Sequence, residues 1–300
     1  MKPPSQTPDS TLQDRFGPAL FVLLWSTGWL SAKFGAQGAD ALTFLSWRFT
    51  FAGVLLALLA WAGGAPWPQS RRHWLHALVA GALLHGLYLG GVWWAVRAGV
   101  STTISGLIAA LQPILTAVLA PLLLGEKVST LQKAGIALGF AGLAIVLAPR
   151  LLDSHAEFSG APLWPVIVNA LGMLSATLGT FYQKRFIPAG DLRSMVCLQY
   201  AGALAIVLPG ALLFEPMQVT WSVPVIATMV WSVLGLSIGG IFLMLLMIRR
   251  GAVARMAAWI YLVPPVVAVE AYFLFGDRLG PLQIGGFGVT VIGVMLATRR

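Results

Sequence analysis

The chain has 300 residues, of which 58% are hydrophobic and only 10% are charged, and its mean hydropathy is +0.84. A water-soluble domain carries about 25% charged residues, so this composition excludes a soluble globular protein of this length. The Lys and Arg residues behind the net charge of +9 lie between apolar runs of about 20 residues, which indicates a polytopic α-helical membrane protein and not a nucleic-acid-binding one.

Apolar runs begin at residue 17 and continue to the end of the chain. Residues 1–16 are polar, and we expect a short cytoplasmic tail without the features of a signal peptide. Because one bilayer span takes about 20 residues, the sequence predicts ten transmembrane helices. They are placed at residues 17–34, 42–62, 74–97, 100–123, 131–148, 163–185, 193–213, 222–248, 252–274 and 281–298. The divisions at Arg97–Gly99 and Arg249–Gly251 each depend on a single Arg-x-Gly break.

The distribution of basic residues predicts the orientation of these helices. Ten spans place both termini on one side, which then carries 14 of the 19 Lys and Arg residues. Cytoplasmic loops carry the excess of Lys and Arg, so both termini are predicted to be cytoplasmic. In two short turns, Glu126-Lys127 and Asp277-Arg278, we expect the neighbouring charges to neutralise each other.

The chain is similar to itself at an offset of about 151 residues. The recurring positions are Gly28, Lys33 and Asp40 with Gly179, Lys184 and Asp191; Gly125, Glu126, Lys127, Gln132, Gly135 and Gly142 with Gly276, Asp277, Arg278, Gln283, Gly286 and Gly293; and, at offset 152, Arg97, Gly99 and Pro113 with Arg249, Gly251 and Pro265. Each half holds five predicted helices, an odd number, so the second half enters the bilayer from the opposite side. The sequence thus predicts two inverted five-helix repeats, residues 17–150 and 163–300, joined by a periplasmic linker at 151–162.

Several local motifs of these halves match a known family. They are Leu24-Trp25-Ser26-Thr27, Arg48, Leu111-Gln112-Pro113, Leu124-Gly125-Glu126-Lys127, Leu262-Val263-Pro264-Pro265 and Phe275-Gly276-Asp277-Arg278. With these motifs the chain resembles the drug/metabolite transporter superfamily, and in particular its ten-helix EamA-type exporters. The resemblance implies a secondary transporter of the bacterial inner membrane, in a family that handles amino acids, nucleosides, drugs and other metabolites.

Glycines are frequent in the fifth and tenth predicted helices. They are Gly135, Gly139 and Gly142 in one helix and Gly285, Gly286, Gly288 and Gly293 in the other. Small residues let helix backbones approach closely, so we expect these two helices to pack together as a support outside the solute pathway. The alternative is that glycine is simply common in membrane helices.

Prolines interrupt the fourth and ninth helices about midway. Gln112-Pro113 and Pro264-Pro265 each remove a backbone donor, which frees a carbonyl one turn earlier. Free backbone groups at that depth are tolerated where they line a wet cavity. The sequence therefore predicts a solute-binding site at the midplane beside these prolines, against the alternative of a packed kink without ligand contact.

Amphipathic side chains inside the spans complete the predicted substrate-binding set. Trp25 and Trp29 are four residues apart on the first helix, and Tyr88 follows His85 at a spacing that places both on one helical face. The full predicted set is Trp25, Trp29, His85, Tyr88, Gln112, Trp259 and Tyr261. Each of these residues could instead serve packing or face lipid.

Two opposite charges lie at matching depth inside the spans. Arg48 and Glu270 are each about 9 Å from the same end of their helices, at 1.5 Å rise per residue. Because an ion inside the bilayer is costly and normally finds a partner, we expect an Arg48–Glu270 pair, formed directly or through water, with a gating or coupling role. A purely static pair is the alternative.

Together these features favour a secondary exporter of amino acids or similar neutral or zwitterionic solutes, working by alternating access at a midplane cavity. The alternatives are a proton-coupled exporter of cationic drugs and a membrane-embedded enzyme. The sequence contains no GxxxxGK[ST] phosphate loop, and its one cysteine, Cys197, excludes a cysteine metal cluster, so we expect no cofactor and no metal. The expected partners of this monomer are a small-molecule solute, membrane lipid and protons.

Overall fold

The computed structural model describes residues 12–124, 129–152, 163–187, 190–240, 243 and 262–297. Within these ranges all regular elements are helices, and the β-type pairing is limited to an isolated bridge between Ala39 and Val219. The predicted all-α class is thus confirmed.

Helices α1 to α5 lie in the first half of the chain. They are α1 (Leu12–Gly35), α2 (Ala41–Ala62), α3 (Arg71–Arg97), α4 (two segments, Thr102–Ala109 and Leu111–Leu124) and α5 (Thr130–Leu152). The second half contributes α6 (Leu163–Phe186), α7 (Leu192–Phe214), α8 (Val223–Gly239), α9 (Val263–Phe275) and α10 (Pro281–Ala297).

Six of the described helices are long and apolar enough to cross a bilayer, namely α2 to α7, and α8 to α10 are shorter apolar helices. The chain is therefore a multi-pass membrane protein, whereas ten spans, their inverted arrangement and the sidedness of the termini stay predictions. The predicted break after Arg97 is confirmed, since α3 ends there and Gly99 has a φ of 96°. The predicted break at Arg249–Gly251 lies outside the described residues.

Three helices extend beyond their predicted bounds. The first begins at Leu12, inside the predicted tail, and the fifth continues to Leu152, inside the predicted linker. The third begins at Arg71 because the Ser70 side chain caps it, accepting a hydrogen bond from the backbone nitrogen of His73 at 3.2 Å. These differences arise because helices continue through polar residues where backbone hydrogen bonds and caps support them, which a hydropathy rule does not register.

The predicted contact between the fifth and tenth helices is present and is the most extensive pairing among the described parts of the helices. A Cβ added at Gly142 would meet the backbone of Thr290 and Gly286, and one added at Gly293 would meet the backbone of Gly139. A Cβ at Gly135 would meet the backbone of Gly293 and Ala297. Early residues of α5 thus face late residues of α10, and the two helices run antiparallel at backbone contact.

The helix pairings have counterparts in the two halves. Each pairing recurs when every helix is replaced by the helix five places further along or back in the chain. Helices α2 and α7 pack on each other, as do α4 and α9. Helix α3 contacts α6 and α7, and the exchanged pairs α8–α1 and α8–α2 are also in contact. Helix α1 contacts α9, and α6 contacts α4. At the centre of α2–α7, Phe49 stacks on Tyr200 at 5.3 Å between ring centroids, and these two residues are 151 positions apart.

Two π-helical stretches occupy matching positions in the two halves. Ala82–Leu87 lies in α3 and Trp231–Gly239 lies in α8. A π-helical turn has an extra residue, so it rotates the side chains that follow relative to an α-helix. Such turns are frequent at functional sites, and here each faces the other half of the chain.

Candidate functional site

A central cavity lies between helices of both halves. Its volume is about 40 Å³, which is room for about three water molecules at 10–15 Å³ each. The described residues that line it are Trp25 and Trp29 of α1, Tyr88 of α3, Ala109, Ala110, Gln112 and Pro113 of α4, Val263 and Pro264 of α9, and Val291 and Val294 of α10. The lining is mainly apolar and aromatic, with polar atoms from few side chains. Because Val291 and Val294 belong to α10, the expectation that this helix lies outside the candidate solute space does not hold for this cavity.

Most of the predicted midplane residues meet at this cavity. Trp25, Trp29, Tyr88, Gln112, Pro113 and Pro264 all line it. Pro265, the next residue of α9, is outside the lining. Trp259 and Tyr261 lie outside the described residues. The structure therefore brings the two predicted proline breaks to one space, while a substrate-binding role for these side chains stays a prediction.

The break in α4 explains how this space is held open. The helix ends at Ala109 and starts again at Leu111, and the backbone nitrogen of Ala110 bonds to Leu107 at 3.0 Å in a tighter turn. Pro113 has no backbone N–H to offer the carbonyl of Ala109, one turn earlier. Both Ala109 and Ala110 line the cavity, so the interruption of the helix faces the space that the sequence predicted.

A buried hydrogen-bonded group fixes one wall of the cavity. The indole Nε1 of Trp29 donates to Ser105 Oγ at 3.1 Å, and the Asn169 amide donates to the same oxygen at 2.8 Å. These residues belong to α1, α4 and α6 and are buried. The Trp29 ring is thus locked in place, whereas Trp25 is 42% exposed and stacks only on Phe21.

Arg48 of α2 is buried between aromatic rings and is not among the residues that line the cavity. Its guanidinium carbon lies 5.7 Å from the ring centroid of Trp93 and 6.0 Å from that of Phe49. One guanidinium nitrogen donates to Ser237 Oγ of α8 at 3.4 Å, and Nε has no described hydrogen-bond partner. Among the described residues, Arg48 therefore holds a positive charge without a carboxylate partner.

His85 is not part of the described cavity lining. Its Nε2 lies 3.3 Å from Gln199 Oε1, and Gln199 in turn donates to Gln183 at 3.0 Å. The expectation that His85 and Tyr88 share one helical face stays a prediction. His85 lies in the π-helical stretch Ala82–Leu87, whose wider turn directs it to α7 while Tyr88 faces the cavity.

The contacts of His85 and Arg48 are equivalent in the two halves. Arg48 and Gln199 are 151 positions apart, and His85 and Ser237 are 152 positions apart. The Arg48–Ser237 contact and the Gln199–His85 contact therefore occupy the same place in each repeat. The side chains differ, so one place carries a charge and the other a neutral hydrogen bond.

The predicted direct pair between Arg48 and Glu270 is not formed. Glu270 Oε1 lies 2.9 Å from the hydroxyl of Ser26, and Glu270 Oε2 is buried without a described partner. The physical reason is the rotational placement of the helices. Glu270 on α9 faces α1, whereas Arg48 on α2 faces α8, so equal depth does not bring them into contact.

Asp277 joins three helices at one end of the bundle, which we call the Lys33 end. It forms an ion pair with Lys33 of α1 at 3.2 Å and accepts a hydrogen bond from Thr102 of α4 at 3.2 Å. The Lys33 ammonium also lies 4.5 Å from the Phe275 ring centroid. The expected mutual neutralisation of Asp277 and Arg278 is thus replaced by a contact between halves. The positive-inside prediction makes the Lys33 end the outer one.

Three candidate functional residues, Ser26, Ser105 and Lys33, were not predicted from the sequence. Ser26 and Ser105 are small hydroxyls, which are common in membrane helices, and Ser26 appeared only within a family motif. Lys33 did carry a signal, because it recurs as Lys184 in the second half. Among the described residues, no group of three His, Cys, Asp or Glu side chains forms a metal site.

The chain has relatives among known membrane proteins. Residues 18–148 match the EamA-like transporter family. The chain is 27% identical over 283 residues to a probable terminal-alkyne amino-acid exporter of Streptantibioticus cattleyicolor, with 94% of this chain and 92% of that protein covered. The uncharacterized inner membrane transporter YedA of Escherichia coli is also 27% identical over 283 residues, with coverage of 93% and 89%.

A further relative and one solved structure agree with these matches. The uncharacterized transporter YvbV of Bacillus subtilis is 25% identical over 288 residues, with coverage of 94% and 90%. A crystal structure of a protein with 18% sequence identity has a TM-score of 0.62 and covers 94% of this chain and 95% of its own, which shows the shared fold. These relatives are named as transporters, and together with the match of residues 18–148 to the EamA-like transporter family they confirm the resemblance read from the motifs.

Proposed function

We propose that the protein is a secondary exporter that moves amino acids or similar small solutes across the bacterial inner membrane by alternating access. The observation that carries this proposal is the cavity between the two halves, which is lined by α4 at its break before Pro113 and by the first turn of α9 at Pro264. Solute sites of inverted-repeat transporters lie near the midplane, at the interface between repeats and beside discontinuous helices.

The antiparallel contact of α5 with α10 supports an inverted relation between the halves. Gly135 next to Gly293 and Gly142 next to Gly286 are equivalent contacts under the repeat offset of 151 residues. Equivalent helices that run antiparallel are related by an axis perpendicular to them, which lies in the membrane plane. Two halves related in this way can exchange conformations, so that one end of the cavity opens as the other closes.

The ion pair at the Lys33 end supports closure of that end in this structure. Asp277 follows α9, and its two partners Lys33 and Thr102 belong to α1 and α4. Release of a solute at that end requires these three helices to separate. The repeat equivalent of Lys33 is Lys184, which is exposed at the opposite end, and no ion pair of it is seen among the described residues.

The chemistry around the cavity favours a zwitterionic solute with an apolar side chain. Trp25, Trp29 and Tyr88 form apolar walls. Arg48 of α2, outside the lining, contacts Ser237 through one guanidinium nitrogen, and its Nε has no described partner. A guanidinium binds a carboxylate well because of its planar fork of donors. The name of the Streptantibioticus relative, an amino-acid exporter, supports the same substrate class.

A proton-coupled exporter of cationic drugs is the second candidate. It requires a carboxylate at the solute, and Glu270 is the acid placed inside the described spans. Glu270 is outside the cavity lining and six residues, or about 9 Å along the helix, from Pro264. The amino-acid class is therefore favoured.

Uptake into proteoliposomes tests the proposal. The purified protein is reconstituted and offered radiolabelled L-phenylalanine, L-alanine, uridine and tetraphenylphosphonium in parallel, with and without preloaded unlabelled solute. We expect counterflow of phenylalanine above empty liposomes and little for tetraphenylphosphonium. Counterflow of the cation alone would favour the second candidate, and none for any solute would contradict a solute exporter of these classes.

A further inference from the structure

We propose that Glu270 and Ser26 form a proton-binding site. One proton bound there crosses the membrane inward for each solute molecule that is moved outward, and the proton gradient thereby drives export. The inference rests on the proposed transport function and adds its coupling ion and the residue that binds it. It starts from an asymmetry in an otherwise repeated structure.

Glu270 has no acidic counterpart in the first half. At the repeat offsets of 152 and 151 residues, the positions equivalent to Glu270 in the first half are Val118 and Leu119, and both are apolar. The equivalent of Ser26 is Thr177, whose hydroxyl bonds the carbonyl of Met173 within its own helix. A carboxyl group inside the membrane is energetically costly, and here it is present in one of the two equivalent places. Such residues in transporters mark ion or proton paths.

The hydrogen bonding around Ser26 fits a protonated carboxyl group. Ser26 Oγ lies 2.8 Å from the carbonyl of Leu23 and 2.9 Å from Glu270 Oε1, yet a hydroxyl has one proton to donate. When Glu270 is protonated, its O–H donates to Ser26 and Ser26 donates to Leu23, so both short contacts are hydrogen bonds. When Glu270 is ionised, the Ser26 hydroxyl donates its proton to the Glu270 carboxylate. No proton is then left for a hydrogen bond between Ser26 and the Leu23 carbonyl.

The surroundings of Glu270 disfavour a carboxylate in this conformation. Ser26 is fully buried, and Glu270 Oε2 is buried without a described partner. Of the described helices packed on α9, α1 brings Lys33, which is engaged by Asp277, and the first segment of α4 brings no titratable side chain. On α9 itself the other titratable group is Tyr272, which is about half exposed. A buried carboxylate oxygen without a partner carries a large desolvation cost, which protonation removes.

The location of the site links it to the solute cavity. Ser26 lies between Trp25 and Trp29 in sequence, and both tryptophans line the cavity. Glu270 is about 9 Å above Pro264 and below the Lys33–Asp277 pair. When the Lys33 end opens, water reaches Glu270 and exchanges a proton with it. When the end closes, Glu270 is neutral and partly buried, with its Oε2 fully buried as it is here. The O–H bond that breaks gives its proton to water on one side and is remade from water on the other, so no further reactant is required.

The first test detects the proton itself and does not depend on transport. Infrared difference spectra of the purified protein between acidic and alkaline buffer are compared for the wild type, Glu270→Gln and Glu215→Gln. We expect in the wild type a carboxylic-acid C=O band that persists at pH values where the other nine Asp and Glu carboxyl groups are ionised. This band is expected to be absent in Glu270→Gln and kept in Glu215→Gln. Glu215 is the matched control, because backbone N–H groups of Leu42 and Thr43 bind both of its oxygens. A band that survives in Glu270→Gln would overturn the proposal.

The second test measures coupling with L-phenylalanine in proteoliposomes. A gradient of one pH unit supplies up to about tenfold accumulation per proton, so wild-type uptake is expected to rise several-fold with the gradient. In Glu270→Gln the ratio of uptake with and without the gradient is expected to fall to about one, and Glu270→Asp is expected to restore part of it. Full gradient dependence in a folded Glu270→Gln protein contradicts the proposal.

The two tests separate this proposal from the proposed transport function. If wild-type counterflow is absent for every solute while the infrared band depends on Glu270, the exporter proposal fails and the proton site stands. If counterflow is present but neither the band nor the gradient dependence involves Glu270, the proton site fails and the exporter proposal stands. Size-exclusion chromatography checks that each variant is folded. If Glu270→Gln aggregates, the comparison is made with Glu270→Asp.

Discussion

The α5–α10 interface and the region around α2, α3 and α8 both join the two halves, but they use the repeat differently. At α5–α10 the same small residues meet in equivalent pairs, with Gly135 beside Gly293 and Gly142 beside Gly286. Around α2, equivalent places hold different chemistry, since Arg48 meets Ser237 where Gln199 meets His85. The comparison teaches that the framework is symmetric while the charged groups are not, so departures from the repeat point to the transport chemistry.

The symmetric interface is expected to tolerate the least change. A Cβ in Gly142→Ala would meet the backbone nitrogen of Thr290, and overpacking of this kind costs about 1–3 kcal/mol. Gly288→Ala, on the same pair of helices, meets no atom within 4 Å and should stabilise α10 by about 0.5–1 kcal/mol. Thermal unfolding in detergent measures both, and a Gly142→Ala protein as stable as Gly288→Ala would break the comparison.

The asymmetric region is expected to affect transport more than folding. Arg48→Gln places at this site the residue that its repeat equivalent, Gln199, already carries. Hydrogen bonds to charged groups contribute about 1.5–3 kcal/mol, so phenylalanine counterflow should fall by about 10- to 100-fold. The control is Arg97→Gln, whose partner Asp40 is 3.2 Å away in a partly exposed pair at the end of α3. Equal losses in both variants would show that Arg48 has no special role.

The Lys33–Asp277 pair allows a test of whether the two ends of the bundle differ in how they are closed. Partly exposed ion pairs contribute about 0–1 kcal/mol, so Lys33→Gln should shift the balance of open and closed states by up to about fivefold. The expected sign is more frequent opening of the Lys33 end, measured as faster maleimide labelling of a cysteine placed at Ala109 in a Cys197→Ser background. Lys184→Gln, at the equivalent place of the other half, is expected not to speed this labelling, and a gain equal to that of Lys33→Gln would contradict a gate at Asp277.

The smallest expected effect concerns the start of α7. Asp191 accepts hydrogen bonds from the side chain and backbone of Arg193, which hold the pKa of its carboxyl below the ordinary value. A depressed pKa stabilises the folded protein above the pKa of the unfolded chain, and this stability is lost as pH falls through the lower, folded value. Asp191→Asn should therefore cost about 1 kcal/mol near neutral pH and almost nothing below about pH 3. Unfolding temperatures at the two pH values check this, and a loss that is independent of pH would assign the effect to the backbone cap alone.

Part of the candidate site was predictable because depth along a helix is a local property. The positions of Gln112-Pro113 and Pro264 within their apolar runs placed both near the predicted midplane, and all three residues line the cavity. The glycines of α5 and α10 likewise predicted a close contact without knowledge of the third dimension. The match of Asp277 with Lys33 was not predictable from neighbouring charges, since its partner lies 244 residues away.

The sequence by itself determined the all-helical membrane class, the order of apolar segments and the internal repeat, because hydropathy and spacing are properties of the chain alone. Tertiary structure decided which side chains meet. Arg48 and Glu270 lie at similar depth but point to different neighbours, and His85 lies beside Gln199 while Tyr88 lines the cavity. The rotation of a helix about its own axis is set collectively by all the helices packed against it, so no single segment encodes it.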